Sequence, residues 1–372
     1  MKTTLVLFLW LFTGIFIIAN AQGLEIYVSD AGNFNNPPWQ ILKFDADGSN
    51  GEVFTTEELG WPQDILFLPD RNEVLISNLN TGQINRHVGR SGEYQNIFAE
   101  VPGGPTRMKI GDDGLIYVLQ WQGNGRVLRF QQDGTFVDEF TTVGVPNSIG
   151  LDWDDAGNLY VSSYNTGIVR RFDASGNDLG PFIESELTGP TNIWFEDDGN
   201  LLVLDWSGGS IDRFDTSGAF LGAFTSDISQ PEGIDLLPNG NYITGNGQAG
   251  GDGSIRVFDP TGATVADIVP AGTLDLLQPN AVVLFDSSTL QVNDVTLAIP
   301  WITPTLGSQF QIKSSIASKY NEWIVYDVHG SVIFRQDTKV LTWDASGLAS
   351  GVYFIQLQGN TSSLTEKIVV RH

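Results

Sequence analysis

The chain is 372 residues long and 41% hydrophobic, enough for two folded domains, each with a core. Its formal net charge of −25 excludes a nucleic-acid groove or an anionic membrane surface as the default partner, because both are met by Lys and Arg clusters. There is no Cys, and the 3 His residues stand in no metal-ligand spacing, so disulfides, thiolate catalysis, a lipidated cysteine and a histidine zinc site fall away.

Residues 1–21 predict a secretory signal peptide: Lys2 precedes an apolar run over 5–18, and Ala19-Asn20-Ala21 forms a cleavage site ahead of Gln22. No later stretch is long and apolar enough to span a bilayer, so no membrane span is expected in the mature chain.

Residues 22–288 read as a repeat. The unit reads as four short strands joined by turns; in the copy at 189–218 three of them fall at 193–195, 201–204 and 211–214, with turns at 197–200 and 215–218 and a loop at 206–209. Three marks keep its register. A proline precedes an apolar strand at Pro62, Pro105, Pro146, Pro190, Pro231 and Pro279, at intervals of 43, 41, 44, 41 and 48. Strand centres recur at Tyr27, Leu75, Tyr117, Tyr160, Leu202 and Tyr242, and an aromatic ends the third strand at Phe44, Phe130, Phe172, Phe214 and Phe258, with Val88 in the second copy. A period of about 42 residues is one four-stranded propeller blade, and such a small sheet buries its faces only by stacking on its neighbours. The repeat begins on a second strand near Leu24 and ends on a first strand near Asn280, so the two ends should share one blade and close a ring of six.

In its Pro-x-x-apolar, D-G-N-L-Y-V and F-D-x-x-G marks this region resembles the NHL-repeat family and its relatives, the gluconolactonase (SMP-30) and streptogramin-lyase propellers. The resemblance covers about 24–286 and implies the fold; a propeller hosts many activities, so it implies none in particular.

Residues 289–294 read as a linker and 295–372 as a small β-sandwich, with apolar runs at 310–312, 323–328, 332–334, 352–357 and 368–370. This tail holds about 6 basic and 5 acidic residues, so nearly all the negative charge precedes it. At VYDVHGSVI (325–333), LASGVYFIQL (348–357) and EKIVVRH (366–372) it resembles the type A C-terminal sorting domain of the Bacteroidetes type IX secretion system. It departs from that family where a PNP-like opening is common, reading PWITPTLG from Pro300. The resemblance implies delivery across the outer membrane to the cell surface or the medium, with the type IX machinery as partner. The expected fold class is thus all-β: a six-bladed β-propeller with a C-terminal small β-sandwich.

Two candidate sites follow on the loop-rich face. The residues after each blade proline form a ring at the channel mouth, in which Asp64, Asn147, Glu232 and Asn280 offer oxygens suited to a hard cation such as calcium. The gluconolactonase-like family places metal ligands in similar P-N-G and P-D-G settings, matched in part by Pro146-Asn147 and Pro231-Glu232-Gly233. Capping of strand ends is the competing role for this ring. Trp121, Tyr164 and Trp206 share one offset, four residues past a strand centre, and with Trp61 and Asn192 they make a candidate ligand platform; filling the gaps between blades is the alternative. The two sites imply two functions: an exported propeller binding an extracellular small molecule, glycan or peptide, or a metal-dependent lactonase, esterase or lyase. No histidine belongs to the ring, so lyase chemistry of the streptogramin type lacks its base. The acidic motifs at 45–48, 112–114 and 196–199 are hairpin turns rather than calcium loops.

Overall fold

A computed structural model describes residues 23–247, 251–290, 301–359 and 363–372. The signal peptide expected over 1–21 and most of the linker expected over 289–294 lie outside them. The described residues form two compact units, one ending at Leu290 and one beginning at Trp301.

The first unit is six four-stranded antiparallel sheets. The fourth blade shows why the repeat folds this way. Pro190 opens the strand Pro190–Phe195, where a missing N–H costs no ladder bond. The following turn is fixed by Gly199 at φ +83° and by Asp198, whose carboxylate accepts the Asn200 N–H at 3.0 Å. Asp47 and Asp113 accept the Ser49 and Leu115 N–H groups in the same way, so the acidic motifs are spent on local turn geometry. In Leu201–Asp205 every side chain is buried: Leu201 and Val203 pack against Tyr160 of the third blade, while Leu202 and Leu204 pack against Tyr242 and Phe258 of the fifth. Alternation between two apolar neighbours accounts for the unbroken apolar run.

Hydroxyl groups latch one blade to the next around the channel. Ser29 donates to Pro62 O at 2.7 Å, Ser77 to Thr106 O at 2.7 Å, Thr106 to Ser148 O at 2.7 Å and Thr191 to Pro231 O at 2.7 Å. The ring closes as the repeat predicts: Pro279–Asp286 pairs antiparallel with Leu24–Asp30, joined by Gln40–Asp45 and Glu52–Thr55, so the closing blade takes one strand from one end and three from the other.

The second unit has a three-stranded and a five-stranded sheet enclosing Trp301, Phe310, Trp323, Trp343 and Ile368. Trp323 is fully buried, with its indole N–H donating to Val340 O at 3.0 Å. One short helix, Ser314–Ala317, interrupts the strands. Among the described residues no helix is long and apolar enough to cross a membrane.

Candidate functional site

The loops at one end of the channel hold a collar of aromatic rings. Trp121, Tyr164 and Trp206 each follow directly on a second strand, and their N–H groups donate to Gly104 O, Asn147 O and Gly189 O at 2.9, 3.0 and 2.9 Å. Leu79 is held equivalently, by Trp61 O at 3.2 Å. One bond to the loop that enters the same blade thus sets all four side chains at one level. Phe34 enters from an insertion peculiar to the closing blade, at φ +51°, and its carbonyl accepts the Trp39 indole N–H at 2.8 Å.

Ring contacts run continuously from Trp61 to Phe34 (5.4 Å between centroids), Phe34 to Trp206 (6.4 Å), Trp206 to Tyr164 (6.1 Å) and Tyr164 to Trp121 (5.8 Å). Inclinations of 62–68° in the first three pairs are the edge-on arrangement that aromatic quadrupoles favour, and the Tyr164–Trp121 pair is tilted at 52°. The collar encloses a cavity of about 340 Å³ whose floor includes Gln63, Ile149, Thr191 and Glu232.

Beneath the floor the channel is bridged by Arg107, 6% exposed. Its guanidinium donates to Gln63 O at 3.0 Å and Asp64 Oδ1 at 3.3 Å, and reaches Glu232 O and Asn280 O at 3.4 Å each. Glu232 Oε1 lies 3.5 Å from Nη2, an ion pair without a hydrogen bond. Burial pushes the Glu232 carboxyl up to about 7, with Asp64 adding to the effect and Arg107 opposing it. Burial also raises Asp64, against the pull of Arg107 and of the Met108 N–H that its Oδ2 accepts at 2.7 Å. Both side-chain polar atoms of Asn280 are buried without a partner.

The ring foreseen as a calcium site therefore holds a cation of the protein's own. Asp64, Glu232 and Asn280 meet at Arg107, while Asn147 turns away, at φ +53°, to donate to Trp121 O at 3.1 Å and accept from Asn165 at 2.8 Å. Among the described residues no three acidic or histidine side chains group as metal ligands. This donor set does not fit calcium, which takes six to eight oxygens and would face a guanidinium here.

Of the platform residues, Trp61, Trp121, Tyr164 and Trp206 come together in the collar. Asn192 does not line the cavity; its Oδ1 accepts the N–H of Ile193 at 3.0 Å, and Thr191 faces the floor instead. Phe34 and the bridging role of Arg107 escape the sequence reading. The insertion ahead of Trp39 and the one basic residue in a ring of oxygen donors were the available signals. His87 is a core residue in the third strand of its blade, its Nδ1 3.0 Å from Gly92 O.

Residues 305–371 match the family of secretion system C-terminal sorting domains. The fold and this match define the class: a β-propeller carrying a C-terminal sorting domain, exported through the type IX system to the cell surface or outside. No curated protein matches the chain in sequence. Among solved structures it is similar to a chain of a nidogen/laminin complex (TM-score 0.59, 14% identity, covering 71% of this chain and 99% of that one). It is also similar to a protein of unknown function from Bacteroides caccae (0.57, 16%, 71% and 99%) and to TolB from Acinetobacter baumannii (0.55, 13%, 71% and 67%). At such identities these likenesses show the propeller fold alone.

Proposed function

We propose that the propeller is a binding domain holding an extracellular ligand, a glycan or a peptide, in the cavity under the aromatic collar. The observation that carries this is the collar itself: five rings supplied by five separate loops converge on one cavity, where interblade packing alone would bury each ring between its own two blades. All five stay partly exposed. Glycan and peptide arrays probed with the full chain, beside Trp121→Ala and Trp206→Ala, test it; retention by the parent and loss in both variants is the expected result.

One observation favours a second reading. A buried carboxyl that titrates near neutrality at the bottom of a cavity is suited to general acid–base work, which makes Glu232 the residue a lactonase or esterase would use. A lactone and aryl-ester screen, with metal analysis of the same preparation, separates the two: turnover lost in Glu232→Gln would replace the binder by an enzyme.

A further inference from the structure

We infer that the ligand group seated in the collar is an organic ammonium cation, with Glu232 as its counter-charge. This rests on the binding reading above and names the chemistry of its ligand.

Three independent observations lead there. The walls are aromatic, and ring faces attract a cation that has shed its water. The floor supplies a matching charge: among the described residues Glu232 is the one charged side chain lining the cavity, it is 6% exposed, and its Oε1 accepts no hydrogen bond from them. Arg107 does not line the cavity, and it is shared between two carboxylates, so the floor keeps an excess of negative charge when both are ionised. The whole chain, at −25, concentrates cations around itself.

A neutral sugar fits less well. Hydroxyl recognition needs several uncommitted polar side chains; the lining offers the amides of Asn35 and Gln63 and the unpartnered indole N–H of Trp61, but its hydroxyls are committed. Thr191 spends its hydroxyl on Pro231 O at 2.7 Å, and Tyr164 shares its own with Ser207 at 3.0 Å. A second, polar cavity of about 480 Å³ adjoins the collar across Trp61, Leu79 and Trp121, lined by Asn80, Gly103 and Gln122. It gives a path to the chain that carries the ammonium, as a peptide carries a lysine or an amino terminus.

The test is calorimetry on the full chain with choline, with its neutral carbon isostere dimethylbutanol, and with a neutral oligosaccharide. Choline should bind about tenfold more tightly than the isostere, the preference expected of a desolvated cation–π site. That preference should collapse in Glu232→Gln, and both affinities should fall in Trp206→Leu. Because the isostere comparison uses the unaltered protein, it stands even where a variant fails to fold. Equal binding of choline and isostere, or binding of the oligosaccharide alone, overturns the ammonium assignment and leaves the binding reading intact. Silence from all three probes together with blank glycan and peptide arrays overturns both.

Discussion

Replacing Glu232 by Gln should stabilise the protein above neutrality and leave it unchanged in acid. The Glu232 carboxyl titrates at about 7 in the fold against an ordinary 4.5, so between those values the native state keeps a proton that the unfolded chain has released. Excess protons on the native side make stability fall as pH rises, by about 1.4 kcal/mol for each pH unit. The contribution is fully present below 4.5 and is lost by about pH 7, a total of about 3 kcal/mol. Glutamine keeps the shape and cannot ionise, so the variant should avoid that loss. Asp64 and Arg107 face the same carboxyl, so the difference between the two proteins reads the loss of Glu232 together with its coupling to them. Guanidinium denaturation of both from about pH 4 to about pH 9, read as the difference in midpoint at constant slope, measures it. Curves that stay parallel over that range would refute the argument, since a carboxyl free to ionise without penalty is not desolvated on the cavity floor.

Arg107→Met should cost about 3–5 kcal/mol at about pH 8, because it leaves two buried carboxylates without their cation, and less at about pH 5, where Glu232 takes up a proton; a loss under about 1 kcal/mol would show that the guanidinium is dispensable. Trp206→Ala and Trp121→Ala should each cost about 1–2 kcal/mol, well below a fully buried aromatic, while ligand retention drops tenfold or more; unfolding of either variant would assign these rings to packing. Calcium at millimolar concentration, added after chelation, should leave the melting temperature in place, whereas a rise would restore the channel mouth as a cation site.

Much of this was legible from the residues. The proline, tyrosine and phenylalanine series fix six blades because each blade repeats the same physical problem, a small sheet apolar on both faces. The shared closing blade follows from which strand comes first and which last. Trp121, Tyr164 and Trp206 could be grouped because one backbone bond per blade sets them at one level. Asn192 could not be placed by counting, because the ladder shifts register between Pro190 and Ile193 and the side chains no longer alternate simply there. Phe34 stands in a loop that no sister copy shares, so no register reached it. Arg107 was visible as a ring member, but what faces it across the channel comes from Asp64 and Glu232, two other blades that no local pattern relates to it.

The seam between Pro279–Asp286 and Leu24–Asp30 also sets the order of assembly. Val28 and Val282 pair across about 250 residues of chain. Bringing such distant ends together costs about 5 kcal/mol of loop entropy before any seam contact repays it. Blades joined by short hairpins can form and stack early, but Leu24–Asp30, paired on one side with Gln40–Asp45, keeps its other edge unpaired until the last propeller strand arrives. The propeller therefore becomes a closed ring only once Pro279–Asp286, the strand that precedes the sorting domain, has been made, and until then the edge of Leu24–Asp30 stands open to any competing strand.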